Sequence, residues 1–357
     1  MHVTVVSSLD VFSRQEACAA LAAEAPGAVV VFHDLLEDGV AVRRMFRDGQ
    51  RVDRRASTLE HGCLSCTVRL DIVPTIASLI DAEHIVLGLP PAVASATAVH
   101  ALLRGLGDAI LIDSVVLACA PDALEDQLWD HHTLFESGFT PVEEDDRTPG
   151  EFLVGELSFS DTVILADPAV LPVDPAERAR GASLVRELAP HAEVTERDGD
   201  LRIGVHHLAE ATARAVPGSV SAPRESSSPF TTVVHRIERP LHPERFRHAL
   251  ATLAEGCCWL RGRLWVASAP GCRIALQGIG PRVWLENTGP WMPGGHPAFG
   301  DRGTVLALTG EDIDAAEVAM LMSSCELTEA EMRDEATSFP DPFQLEEPTH
   351  TQQRSNP

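Results

Sequence analysis

Short apolar runs that alternate with helix-like stretches constrain this chain most. Val3-Thr4-Val5-Val6, residues 84–89, residues 109–119 and Thr162-Val163-Ile164-Leu165 each read as a buried, parallel-type strand. Between and after them lie stretches with helical character at 14–24, 92–104, 121–129, 151–159 and 175–188. Such alternation builds a mostly parallel sheet with helices on both faces, so the expected fold class is α/β. Residues 28–33 supply a further strand. Residues 40–42 and 50–52 form a hairpin that turns at Asp48-Gly49, a dipeptide suited to left-handed backbone.

At 357 residues the chain is long enough for two cores. Residues 217–229, rich in proline, serine and glycine, read as a linker, which places one domain at 1–216 and a second at 230–335. The second domain opens with a strand at 230–237 and a helix led by His242-Pro243-Glu244, with Phe246, Leu250 and Leu253 as its apolar stripe. Four short strands are expected at 257–260, 264–267, 273–277 and 283–285, a last strand at 305–308, and closing helices at 313–322 and 329–334. This is a smaller α+β layer. From about residue 336 the chain is polar and is expected to be a mobile tail.

The formal charge of −25 argues against extensive contact with a phosphate backbone. One basic island at 43–55 reads as a solvated hairpin face. No apolar run reaches the roughly 20 residues of a membrane span, and no signal-peptide core opens the chain, so a cytoplasmic location is expected. The eight cysteines form no even framework, which favours free thiols.

Two of those cysteines have metal-ligand spacing. Glu60-His61-Gly62-Cys63-Leu64-Ser65-Cys66-Thr67-Val68-Arg69-Leu70-Asp71 places Cys63 and Cys66 at a loop-to-helix turn, and a helix from about 71 to 81 follows. Unsatisfied N–H groups at a helix start stabilise thiolates, which suits metal binding or redox chemistry; the alternative is two small buried residues. Asp130-His131-His132 is a weaker candidate. On a helix adjacent histidines diverge, so this triplet reads as surface. Cys257 and Cys258 read as packing.

The cysteine stretch resembles the G-C-x-C-C-T-[VL]-R-x-D signature of the CobW-like family of P-loop metal-chaperone GTPases, with Ser65 at the middle cysteine. Arg239-Pro240-Leu241-His242-Pro243-Glu244-Arg245, Gly262-Arg263-Leu264-Trp265 and Gly300-Asp301-Arg302 resemble the family's C-terminal domain in order and spacing. The resemblance implies a P-loop-NTPase-like first domain and zinc as the metal at Cys63 and Cys66; two thiolates leave a tetrahedral site incomplete, so His61, Glu60 or a distant histidine is expected to supply the rest. It also shows what has changed. The P-loop position is Ser8-Leu9-Asp10-Val11-Phe12-Ser13-Arg14-Gln15. Ser8 and Ser13 replace both glycines, Arg14 the phosphate-binding lysine and Gln15 the magnesium-binding hydroxyl. Leu87-Gly88-Leu89-Pro90 stands at the acidic turn, and Ala166-Asp167-Pro168-Ala169 at the guanine-reading motif. GTP binding is therefore not expected.

The damaged P-loop and shortened cysteine motif together resemble the actinobacterial branch that recruits the ribosome hibernation-promoting factor during zinc starvation. This implies a zinc-responsive pseudo-GTPase adaptor whose partners are that factor and, through protein contacts, the ribosome. The alternatives are a GTP-dependent zinc metallochaperone whose phosphate grip is rebuilt around Arg14, and a thiol oxidoreductase using Cys63 and Cys66.

Overall fold

The computed structural model describes residues 1–59, 63–167, 172–197, 201–226, 228–291, 302–334 and 339–345. The chain divides into two compact units, Met1–Ala215 and Val216–Pro357.

In chain order the first unit contains β1 (His2–Ser7), α1 (Val11–Glu24), β2 (Val29–Leu35), β3 (Val40–Arg47), β4 (Gln50–Thr58) and α2 (Leu64–Thr67). There follow α3 (Val73–Ala77), β5 (His84–Gly88), α4 (Ser95–Leu106), β6 (Leu111–Cys119), α5 (Leu124–Trp129) and α6 (Pro149–Phe159). It closes with β7 (Thr162–Leu165), α7 (Pro175–Leu188), β8 (Glu193–Glu196) and α8 (Leu208–Ala215). The eight strands form one sheet in the order β4-β3-β2-β5-β1-β6-β7-β8. Pairing is parallel from β2 to β8, and β3 and β4 extend that sheet as an antiparallel hairpin. Asp48 (φ 50°) and Gly49 (φ 72°) make its tight turn, in the left-handed backbone that the dipeptide favours.

The period-two pleat explains why the central strands are apolar throughout. Val3, Val5, Val29, Val31, Ile85 and Leu87 face one core, closed by Val99 and Leu102 of α4 and Phe159 of α6. Val6, Val30, Phe32 and Val86 face the other, closed by Ala17, Cys18 and Leu21 of α1. The expected α/β sheet with helices on both faces is present. Three elements differ from the reading above, one of them the helix α8, which is not among the expected helices. β8, Glu-Val-Thr-Glu, carries too little apolar character to signal a strand, and it forms by pairing along the β7 edge. The helix expected from residue 71 begins instead at Leu64, because a wide π-type turn over Val68–Ile72 joins α2 to α3.

The second unit is a five-stranded antiparallel sheet of β9 (Phe230–Ile237), β10 (Cys257–Leu264), β11 (Cys272–Ile279), β12 (Arg282–Pro290) and β13 (Thr304–Glu311), in the order β12-β11-β10-β13-β9. Helices α9 (Pro243–Ala254) and α10 (Ala315–Cys325) pack on it through Phe246, Leu253, Val318 and Met322, and α11 (Glu329–Arg333) follows. The α+β layer is as expected, but residues 257–260 and 264–267 are not separate strands. One strand runs from Cys257 to Leu264, because Arg261 and Arg263 are buried rather than exposed at a break. Arg261 stacks on Trp259 at 3.6 Å and donates to Thr309 Oγ1 and to the Ser221 carbonyl, so the expected linker is held against this sheet at that point. The tail is not wholly loose either. Leu345 is buried, and Phe343 meets Phe246 edge-on at 6.1 Å; residues 335–338 and 346–357 lie outside the described residues.

Gly181 of α7 sits where a Cβ would fall 1.7 Å from the Pro121 carbonyl oxygen. Alanine favours a helix by about 1 kcal/mol over glycine, yet here it must push backbone apart. Gly181→Ala is expected to lower stability by about 1–3 kcal/mol net in urea unfolding, an overpacking cost; a neutral or stabilising result would contradict the packing of α7 on that turn.

Candidate functional site

The loop from β1 into α1 occupies the place where a P-loop would cradle phosphate. Asp10 is the N-cap of α1, and its carboxylate accepts from the backbone N–H of Phe12 (3.2 Å) and Ser13 (2.5 Å). Those are the donors that an anion would otherwise use. Ser8 Oγ accepts from the Asp10 N–H at 3.0 Å, and Ser13 Oγ donates to the Ala166 carbonyl at 3.3 Å. Both serines are buried and committed to the chain.

Arg14 points inward. Its side chain is fully buried, and the guanidinium donates to the His33 carbonyl (3.0 Å), the Leu89 carbonyl and Asp34 Oδ1 (2.5 Å). Arg44 holds the other oxygen of Asp34 at 2.8 Å, and both arginines lie 5.4 Å from the centroid of Phe32. The residue at the lysine position thus joins α1 to β2 and to the end of β5, and the segment at the acidic-turn position supplies one of its acceptors. Gln15 lines an open cleft of about 750 Å³ with Val11, Asp34, Leu36, Arg44 and Phe135. At the base-reading position, Asp167 accepts from Arg178 Nε at 2.7 Å, and the same guanidinium binds Glu196 of β8. Residues 168–171 lie outside the described residues.

The cysteines lie beyond the β3–β4 hairpin, at the start of α2. Cys63 is its N-cap: Sγ accepts from the Cys66 N–H at 3.1 Å, and Ser65 Oγ lies 3.4 Å from the same sulfur. The two sulfurs are in disulfide contact with Cα atoms 5.2 Å apart. The sequence spacing therefore does bring Cys63 and Cys66 together. A tetrahedral zinc ion at about 2.3 Å from each sulfur would part them to roughly 3.8 Å, so the disulfide and the metal exclude each other. Two thiolates make half of such a site. Among the described residues no third His, Cys, Asp or Glu joins them in a metal-sized cluster, and His61 lies outside the described residues.

Behind the cysteine helix stands a polar pair that the sequence did not disclose. His33 of β2 is fully buried, with Nε2 3.2 Å from Asp71 Oδ2 in the wide turn. Burial, reinforced by the Arg43 charge, lowers His33 from 6.5 to about 3, and burial pushes the Asp71 carboxyl up. The contact is a neutral imidazole against a carboxyl group rather than an ion pair. Arg43 closes the cluster through Thr75 Oγ1 (2.8 Å) and Asp53 (3.1 Å). The basic island at 43–55 is thus partly structural, with Arg43 and Arg44 turned into the fold and Arg51, Arg54 and Arg55 exposed.

Asp130-His131-His132 is not helical. α5 ends at Trp129, Asp130 is extended (φ −65°, ψ 123°), and the two rings approach to 4.1 Å between centroids. Divergence of adjacent histidines on a helix does not apply here. Cys257 and Cys258 are buried thiols that donate to the Leu253 and Thr309 carbonyls, in keeping with packing. Among the described residues no helix is long and apolar enough to cross a membrane.

Residues 230–326 match the family of the cobalamin synthesis protein cobW C-terminal domain. Over 360 aligned residues the chain is 24% identical to the zinc chaperone Rv0106 of Mycobacterium tuberculosis, covering 89% of this chain and 87% of that one. An uncharacterized protein of Mycobacterium bovis, Mb0109, matches with the same identity and coverage. Among solved structures, the zinc-bound YjiA GTPase from E. coli aligns over 92% of this chain and 99% of its own, at 14% identity and a TM-score of 0.38.

Two measurements check this geometry. Asp34→Ala strands the buried Arg14 charge and is expected to cost about 3–5 kcal/mol of stability in denaturant unfolding; a loss below about 1 kcal/mol would mean that Arg14 is free to turn outward. His33 stays neutral in the fold while its unfolded counterpart protonates below pH 6.5. Its contribution therefore makes stability fall as pH drops from 6.5 towards 3, by up to about 1.4 kcal/mol per unit. His33→Gln should flatten that slope; an unchanged slope would show that His33 takes up its proton in the folded state.

Proposed function

We propose that this chain, with a cobW C-terminal domain in its second unit, is a CobW-like zinc-responsive adaptor in which the nucleotide site has been converted into structure. The observation that carries the reading is the Asp10–Arg14 arrangement. A carboxylate caps the donors that would bind phosphate, and the cation that would meet the terminal phosphate is buried against Asp34. To bind GTP the chain would have to expel its own anion from the α1 N-terminus and pull a paired guanidinium out of the core. The second step alone costs several kcal/mol.

Zinc enters through Cys63 and Cys66, in agreement with the zinc chaperone to which the chain is similar. The pair supplies two thiolates once reduced, and the remaining ligands come from outside the described residues, His61 first among them, or from a second protein. At −25 the chain suits a basic protein partner by charge complementarity and repels bare RNA. The partner we propose is the ribosome hibernation-promoting factor, delivered to the ribosome through protein contacts when zinc is scarce, with the whole complex in the cytoplasm.

The second reading is a GTP-dependent zinc metallochaperone. The relative's name favours it. The buried Arg14 opposes it. Calorimetry with GTP and Mg²⁺, in the presence and absence of zinc, separates the two. No nucleotide binding is expected, and submicromolar binding with turnover would return the chain to the metallochaperones. The adaptor reading requires in addition that purified hibernation factor binds the metal-free chain at least 10-fold more tightly than the zinc-loaded chain. It requires that Cys63→Ser/Cys66→Ser abolish that difference. Equal affinities with and without zinc in the wild type would overturn it.

A further inference from the structure

The loop between α5 and α6 carries a second group of metal donors with no connection to the cysteines. One carboxylate oxygen of Asp130 and one ring nitrogen from each of His131 and His132 lie within 4.8 Å of one another, the one such group among the described residues. We propose that Asp130, His131 and His132 form a second divalent-cation site, selective for zinc and the late first-row metals that imidazole prefers over magnesium and calcium.

Three features distinguish this group from a chance surface pair. The first is that its carboxylate is already placed: Asp130 Oδ2 accepts from Ser137 Oγ at 2.6 Å, and Oδ1 accepts from the His132 backbone N–H at 2.9 Å. The second is that His132 Nδ1 lies 2.8 Å from the same Oδ1. A cation entering between nitrogen and oxygen displaces the shared proton to solvent and needs the two atoms only about 0.5 Å farther apart, since ligands at about 2.0 Å in a tetrahedron are about 3.3 Å from each other. The third is that both histidines are exposed and their rings adjoin, so the His131 ring reaches the same ion by side-chain rotation alone.

The surroundings favour a positive guest. Glu136, in the same loop, accepts from the Thr133 N–H at 2.8 Å. That bond, then the Thr133 hydroxyl contact and the charges of His132 and His131, hold its carboxyl below the ordinary range. Water completes the coordination, so the site is open and exchangeable, unlike a closed structural site.

The test uses the full chain, free of any histidine tag, with Cys63→Ser/Cys66→Ser to silence the thiols and zinc alone as the probe. One equivalent is expected to bind in calorimetry, and adding His131→Ala/His132→Ala should weaken it at least 10-fold without moving the thermal transition. With cobalt in its place, the histidine-intact protein should show ligand-field absorption and no thiolate charge transfer, and the His131 and His132 ring resonances should broaden first. Zinc binding that is absent from the thiol-silenced chain, or equal with and without the two histidines, would overturn the site. Because the thiols are absent throughout, neither result bears on the proposed role of Cys63 and Cys66.

Discussion

A buried guanidinium organises the first unit. Moving an arginine from water into the core costs several kcal/mol, and this cost is offset only if its donors are met. For Arg14 the acceptors come from two strands: the His33 carbonyl and Asp34 of β2, and the Leu89 carbonyl at the end of β5. Helix α1 is thereby fixed in angle and depth against the sheet, and both Arg14 and Arg44 lie 5.4 Å from the Phe32 ring centroid. Gly88 has to lack a side chain because the Phe32 ring already fills that space, 2.6 Å from where a Cβ would lie. Serine at the first glycine position, Asp10 at the cap, Arg14 and Gly88 are thus parts of one arrangement. Ser8 supports the Asp10 cap, Asp10 occupies the N–H donors of α1, Arg14 is held inward by Asp34, and Gly88 leaves room for the Phe32 ring.

Much of this was legible in the sequence because the physics involved is local. Continuous β-branched runs between helices gave the parallel sheet, and Asp48-Gly49 gave the hairpin. The spacing of Cys63 and Cys66 placed them one helical turn apart. Readings failed where tertiary contact overrules local character. Arg261 and Arg263 look like a strand break, yet a stacked indole, a threonine hydroxyl and a backbone carbonyl let Arg261 run buried through β10. β8 owes its existence to an edge that needed pairing. Pro74 has no N–H to offer the Leu70 carbonyl, and the turn just before it widens. No pattern in the sequence marks that event, nor the meeting of His33 with Asp71, which are 38 residues apart and join only when β2 and the cysteine helix pack.

The charge distribution has the same divided character. The chain is strongly acidic, yet its arginines are spent in different ways. Arg14, Arg43 and Arg44 hold carboxylates against the fold, Arg178 joins Asp167 and Glu196 near the surface, and Arg51, Arg54 and Arg55 lie exposed along the edge strand β4. An exposed cationic edge also discourages strand-to-strand association with other chains.

The cysteine helix shows how far a change at its sulfurs can travel. Its far end is fixed: Ile72 and Ile76 are fully buried, and Asp71 faces His33. Its near end is open: Ser65, Arg69 and Leu70 are exposed, and Leu70 is 53% accessible despite being apolar. Parting the sulfurs to admit a metal disturbs the Cys63 cap, whereas Thr67, buried and donating its hydroxyl to the Cys63 carbonyl, and Leu64, packed against the core, hold the rest of α2. Beyond the wide turn, the same displacement would have to uncover core side chains at about 1.5–3 kcal/mol each. Under the proposed zinc-responsive role, rearrangement would stay close to the Cys63 cap, and a partner that distinguished the two forms would have to touch the chain there, beside the exposed Ser65, Arg69 and Leu70.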